Sequence, residues 1–415
     1  MTLIKTSLLN GVAVVIKILA LLGINKILAI YIGPSGYAVV GQFQNAIQMI
    51  HALASGGVNT GVTKYTAEYN NDENKQKEIW STAAKIILLS SLIISLLIFI
   101  FSGELSLWLL KSNKYGNVFV WFSLSLVFFV FNTFFLAILN GKKEISRYVL
   151  ANIIGSIFSL IFTMLLVIQW GLYGALVAFA TYQSLSFFAT VFLCCKLEWF
   201  KLSSFFCNFD REVVTNLMKY TVMALTSAIC IPISHILIRN YIGVSLGWDL
   251  AGYWEAMWRL SSTYLLFFTL TLSVYYLPRL SELNDSLEIR KEVYLGYKII
   301  VPVIMVGALF IYLFKDFIIS LIFTKEFLPM RELFFWQLIG DIFKMCSWIL
   351  GYIVLAKAYF KFVILTEIFF SSLFVFLSIF LTDSFGFIGV SIAHILNYII
   401  HLFVLFVFLR NRGIL

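Results

Sequence analysis

Eight charged residues lie in stretches of this chain that are otherwise too apolar for water. Five are basic (Lys17, Lys26, Arg239, Arg259 and Lys344) and three acidic (Glu255, Asp341 and Glu367). A charge at the middle of a hydrocarbon layer costs roughly 2.5–3.5 kcal/mol on insertion scales. Such residues therefore turn to a bundle interior or a watery cavity and are functional candidates by default. The sign of the set is informative. A cavity lined by Lys26, Arg239, Arg259 and Lys17 prefers an anion, and guanidinium groups suit phosphate oxygens especially well. An exporter of lipophilic cations needs carboxylates instead.

Spacing qualifies each assignment. Glu255 and Arg259 stand at i, i+4, which partly neutralises Arg259, and Asp341 and Lys344 at i, i+3 share a helix face. For that second pair mutual neutralisation is the simpler expectation, ion coupling the sharper one; Glu255 and Glu367 carry the same two readings. Lys17 and Lys26 are nine apart, about 900° of rotation, and line one cavity only if their helix bends, for instance near Gly23. Arg239 lies close to a helix end, so cavity lining and snorkelling to the interface are both open. Pro232 removes a backbone hydrogen bond two turns earlier, as a hinge or as a static kink. Tyr37, Trp254 and Trp258 flank these charges, and an interfacial aromatic belt explains them more simply than a sugar platform. The four histidines are scattered and the five cysteines, Cys207 among them, show no CxxC spacing. Neither a metal centre nor a disulfide framework is expected, and no cofactor is implied.

The elements that must position these groups follow from composition. The 415 residues are 61% hydrophobic and 12% charged, with mean hydropathy +0.94. Soluble domains carry about 25% charged residues, so the chain reads as an all-α integral membrane protein. Apolar runs of at least about 20 residues number twelve: 8–33, 38–63, 81–102, 117–139, 149–168, 172–195, 214–240, 251–277, 295–314, 333–356, 362–381 and 387–409. Lys5, Lys17 and Lys26 at the start fit a retained first helix better than a cleaved signal.

With both termini in the cytoplasm, twenty lysines and arginines fall inside and only five outside. That bias sets the orientation. It also accounts for most of the +9 net charge without a nucleic-acid partner. The outer connections are short: GPSGY at 33–37, QWGLYG at 169–174, TDSFG at 382–386, and a longest one near 315–331. A sizeable extracytoplasmic catalytic domain is excluded, so no enzyme is expected.

The chain also repeats. YIGPSGYAVVGQFQNA from Tyr31 matches YIGVSLGWDLAGYWEA from Tyr241 at an offset of 210–211, and GLYGALVAFA from Gly171 matches GFIGVSIAHI from Gly386 at 215. Six helices per half is an even number. The two lobes, 1–205 and 206–415, are therefore expected to share orientation about a pseudo-two-fold axis along the membrane normal, enclosing a central cavity, as in many transporters. Lys26 then matches Arg239 in depth across the repeat.

Several stretches resemble the Wzx-type flippases of Gram-negative bacteria: NGVAVVIKILALLGINKILAIYIGPSGYAVVGQF, GVTKYTAEY, SVYYLPRLSEL and FFWQLIGDIFKMCSWILGYIVLAKAYFKFVILTEI. Within that family, the resemblance is to the branch serving enterobacterial common antigen (lipid III) and its O-antigen relatives. It covers nearly the whole chain. It implies the multidrug/oligosaccharidyl-lipid/polysaccharide exporter superfamily and movement of undecaprenyl-diphosphate-linked oligosaccharide from the cytoplasmic to the periplasmic leaflet of the inner membrane. It further implies alternating access, with membrane lipid, a polysaccharide polymerase and a chain-length regulator as neighbours. Lys17, Lys26, Arg239, Asp341, Lys344 and Glu367 are expected to have counterparts in the family, whereas Arg259 is not. The competing readings are a cation-coupled drug or metabolite antiporter of the same superfamily, a membrane-embedded glycan polymerase or ligase, and a lipid-binding scaffold.

Overall fold

The computed structural model describes residues 3–201, 205, 211–283 and 285–415, and the described residues contain no strand. The helices, in chain order, are α1 (Leu3–Ala54), α2 (Asn59–Glu68), α3 (Glu73–Ile100), α4 (Ser102–Leu110), α5 (Gly116–Gly141), α6 (Ile145–Cys194), α7 (Arg211–Ser245), α8 (Trp248–Thr271), α9 (Leu277–Glu282), α10 (Ser286–Leu313), α11 (Lys315–Ile322), α12 (Phe334–Ala356), α13 (Phe360–Phe385) and α14 (Gly389–Asn411). Hydrocarbon offers no partner to a free N–H or C=O, so long apolar runs satisfy their backbones internally as helices. Where chains enter from the polar side, carboxylates cap them. Asp72 accepts from the Lys75 N–H at the start of α3, and Asp285 from the Leu287 N–H at the start of α10. Each satisfies one of the orphan donors of a first turn.

Eight stretches among the described residues are long and apolar enough to cross a membrane. Three of them are double length: Gly11–Ala54 with 44 residues, Ile145–Cys194 with 50 and Phe360–Asn411 with 52. Counted as pairs they give eleven spans. The twelfth expected one, α8, is long enough but not sufficiently apolar, because it carries Asp249, Glu255 and Arg259. The run expected to end at residue 63 stops at Ala54, and residues from Asn59 form the separate α2. Instead of an open loop, the connection near 315–331 is helical, formed by α11 and a 3₁₀ turn over Lys325–Glu332.

The double-length helices break at glycine. Gly33, Gly171 and Gly386 have φ of 64°, 54° and 65°, and Gly247, between α7 and α8, has 112°. L side chains strain this left-handed half of the map, so glycine is what permits the reversals. In three of these turns a second glycine, Gly36, Gly174 or Gly389, follows three residues later, and the last two admit the preceding helix. A Cβ at Gly174 would lie 1.9 Å from the Leu166 carbonyl oxygen, and one at Gly389 would lie 2.2 Å from that of Leu381. The G-x-x-G spacing is thus a hairpin device, one glycine for the turn and one for the approach. Gly174→Ala and Gly389→Ala are each expected to cost about 1–3 kcal/mol through forced backbone shifts, while Gly103→Ala, with open space around it, should be neutral or slightly stabilising. Thermal unfolding of the three variants in detergent checks this; an unchanged melting temperature for both hairpin variants would contradict it.

The turn glycines also refine the repeat. Gly171 and Gly386 are 215 apart, as the sequence match gives, whereas Gly33 and Gly247 are 214 apart rather than 210–211. Gly243, the expected partner of Gly33, lies inside α7, where a Cβ would meet the Trp248 ring at 2.9 Å.

The chain packs into two compact units, one comprising Met1–Ile32 and Val39–Pro232, the other Gly33–Ala38 and Ile233–Leu415. The expected boundary after residue 205 adjoins residues 206–210, and these, with Cys207, lie outside the described residues. In the first unit α5 and α6 are joined by polar bonds, Asn132 to Gln183 at 3.0 Å and Thr190 to Asn132 at 2.7 Å. In the second, α8, α10, α12 and α14 bury a core that includes Leu265, Tyr276, Ile304, Ile349 and Leu405.

Candidate functional site

Most of the charges singled out above come together in the second unit. Arg239, near the end of α7, and Glu255, two turns into α8, face each other across the hairpin at Gly247. The Arg239 guanidinium donates to Glu255 Oε2, and Arg259 Nε donates to Oε1 at 2.6 Å. One carboxylate thus bridges two guanidiniums and leaves a net single positive charge. Arg239 is only 1% exposed, so burial this deep requires the pairing. It is neither a snorkelling residue nor an open cationic wall. The i, i+4 spacing of Glu255 and Arg259 does what the sequence indicated.

The aromatic residues serve these cations. The Arg259 guanidinium lies 4.8 Å from the ring centre of Tyr37, that of Arg239 5.6 Å from Trp254, and the Lys344 ammonium 4.8 Å from Trp258. Such stacking is worth about 0.5–2 kcal/mol or more when desolvated. Tyr37 and Trp254 are fully buried, which suits neither an interfacial belt nor an open sugar platform. Trp258 is half-buried. Tyr37 belongs to the short segment 33–38 and packs edge-on against Phe323 and Phe327, beyond α11. A Cβ at Gly252 of α8 would lie 1.9 Å from the Pro34 carbonyl oxygen, so that glycine seats the segment.

Asp341 and Lys344 do not neutralise each other as an ion pair. Asp341, wholly buried on α12, accepts from Ser261 at 2.6 Å, Tyr264 at 2.5 Å, His394 Nε2 at 3.0 Å and Gln337 at 3.5 Å. Four donors occupy its two oxygens, and Lys344 turns instead to the rings of Trp258, Trp348 and Tyr398. Sequence reasoning missed His394 and the hydroxyls of Ser261 and Tyr264. One signal was available: His394 and His401 are seven apart, hence on one face of α14.

The remaining candidates lie elsewhere. Lys17 and Lys26 are both in the first half of α1, whose one non-helical residue is Gly33. The helix does not break at Gly23, so the two stay on opposite faces, Lys17 exposed and Lys26 half-buried. Glu367 is half-buried on α13. Pro232 lies inside α7, at the residue where the two compact units divide. A cleft of about 680 Å³ in the first unit is lined by Trp121, Phe128, Phe162, Trp170 and Phe188. The hydroxyls on its wall, of Ser125, Thr181 and Ser184, bond to main-chain carbonyls.

Known proteins share this chain's length and fold. It is 29% identical over 401 residues, 97% of this chain and 96% of theirs, to the lipid III flippases of Escherichia coli K12 and Shigella flexneri. Among solved structures it is similar to an inward-facing multidrug-resistance MATE transporter of the MOP superfamily. That match has a TM-score of 0.80 and 15% identity over 95% of this chain and 94% of the other. An outward-facing MATE transporter matches at 0.69, with 17% identity over 96% and 95%. A MOP-superfamily transporter from Pyrococcus furiosus, described as having a binding pocket of reverse polarity, matches at 0.68, also with 17% identity over 96% and 95%. Residues 3–284 match the polysaccharide biosynthesis protein family. That match spans more than half the chain, and the protein is a multi-pass membrane member of the polysaccharide biosynthesis protein family, built on the MOP-superfamily transporter fold.

Proposed function

We propose that the protein is a flippase carrying undecaprenyl-diphosphate-linked oligosaccharide from the cytoplasmic to the periplasmic leaflet of a bacterial inner membrane. The near full-length likeness to two lipid III flippases carries this reading. The sequence's charge bias supports cytoplasmic termini, and the protein acts as a carrier that makes and breaks no covalent bond. Its lobes are residues 1–205 and 206–415, and Pro232, at the division between compact units, is the hinge that lets them rock.

The diphosphate ester needs about two positive charges. Lys26 and Arg259 are the leading contacts, since both remain partly accessible. Lys17 attracts the headgroup early, and buried Arg239 acts through the shared Glu255 carboxylate. Trp258 is the ring left with accessible surface for a sugar. Inside-negative potential favours outward anion movement by about 2.3 kcal/mol per charge per 100 mV. A polymerase and a chain-length regulator receive the product.

The test is leaflet exchange of an undecaprenyl-diphosphate glycan in proteoliposomes. Wild type should accelerate exchange, and Lys26→Ala and Arg259→Ala should each lower the rate at least about tenfold, the equivalent of about 1.4 kcal/mol. Exchange untouched by both replacements would remove the cationic path. Absence of exchange from folded wild type, with several glycans tried, would leave the antiporter or scaffold.

A further inference from the structure

His394 stands on α14 with its Nε2 3.0 Å from Asp341 Oδ1, and it is 1% exposed. The Asp341 carboxylate accepts in every bond it makes, so Nε2 carries the donated hydrogen and the neutral ring keeps its lone pair on Nδ1. That Nδ1 is buried without a hydrogen-bond partner among the described residues. A buried nitrogen left so is costly. The space for the ring is built in: a Cβ at Gly340 would lie 2.3 Å from His394 Cδ2. Trp258, Phe374 and Tyr398 close round it, with ring centres at 5.3, 6.1 and 5.0 Å.

The titratable groups round this ring are few. Asp341 and Lys344 come from α12, Tyr264 from α8, His235 from α7, and Tyr398 and His401 from the same helix, and α13 contributes Phe374. His401 continues the face seven residues on, about 10 Å along the axis, where it is hydrogen-bonded to Ser347. His394, Tyr398 and His401 thus form a ladder along α14, with successive ring centres 5.0 and 6.1 Å apart.

We infer that His394, oriented by Asp341, is a proton-binding site whose loading and unloading powers the carrier. A hydronium on the outer side gives its proton to the Nδ1 lone pair; an N–H bond forms, an O–H bond breaks and water leaves. The imidazolium then neutralises Asp341 and adds a positive charge beside Lys344. Discharge of the same proton on the inner side restores the neutral ring. This rests on the flippase reading for the work done, and on geometry alone for the proton.

Two measurements separate those parts. Nitrogen NMR of histidine-labelled protein in bilayers should show an imidazole titrating between about pH 5 and 8, lost in His394→Gln. In proteoliposomes, an outside-acid gradient should speed outward movement of the glycan lipid several-fold in wild type. In His394→Gln the ratio of the rates with and without the gradient should fall to about one. If His394→Gln does not fold, Asp341→Asn replaces it and should lower the titration midpoint by at least about one pH unit, because the paired negative charge is gone. The inference is overturned if no such imidazole titrates, if the midpoint ignores Asp341→Asn, or if the gradient response survives His394→Gln. Titration without exchange of any glycan would uphold the proton site and sink the flippase reading instead.

Discussion

Glu255→Ala is expected to be the most damaging single replacement in the second unit. It removes the one carboxylate shared by Arg239 and Arg259 and leaves two guanidiniums facing each other, one of them only 1% exposed. Breaking a buried pair in this way costs about 3–5 kcal/mol, because the stranded charge has no water to return to. The melting temperature in detergent should fall by roughly 5 °C. The corresponding charge-free triple replacement, Arg239→Met with Glu255→Leu and Arg259→Met, should recover much of that loss, since apolar groups of similar size often substitute for a buried ion network without penalty. It should nevertheless exchange no glycan lipid. A Glu255→Ala protein melting with wild type would mean that water reaches the triad. A triple variant that exchanges normally would remove the cationic path from the mechanism.

The second large effect is expected at Gly252→Ala. The added methyl would overlap the Pro34 carbonyl oxygen at 1.9 Å and the carbonyl carbon at 2.5 Å. Neither atom is a flexible tip, so the segment 33–38 must lift from α8 at a cost of about 1–3 kcal/mol or more. Tyr37 would then leave Arg259, Phe323 and Phe327 together. The readout is the reactivity of a cysteine at Ala38, a wholly buried position, in a chain otherwise free of cysteine. A maleimide should label it slowly in the parent and at least about tenfold faster with Gly252→Ala. Equal rates would show that the helix, not the segment, gives way.

The spanning helices other than α8 were legible because each is a long apolar run, and lipid leaves such a run no other form. Their breaks were legible too, at GPSG, GLYG and GFIG. Glu255 with Arg259 could be read because four residues on a helix fix a distance. What could not be read is what depends on register between helices. Arg239 reaches Glu255 only because Gly247 sets how the two arms of its hairpin pass. Asp341 meets His394 only because Gly340 lacks a side chain. The i, i+3 spacing of Asp341 and Lys344 allowed an ion pair without requiring one. Ser261, Tyr264 and His394 took the carboxylate, and three rings took the ammonium. Matching of identical letters placed Gly33 against Gly243, yet the conformational duty of Gly33 falls to Gly247. A repeat preserves a turn's geometry more strictly than its spelling.

The segment 33–38 carries one more consequence, and it concerns time. Tyr37 leaves the ribosome long before Phe327, one of the rings that buries it, which is 290 residues downstream. At about 5–20 residues per second of synthesis, the first hairpin waits roughly 15–60 s for its partner. During that wait Arg259, made in between, has the tyrosine without the phenylalanines. A nascent chain halted before α11 therefore holds a hairpin at Gly33 whose tip is unfinished. Such arrested chains should be the ones that membrane quality-control proteases recognise first.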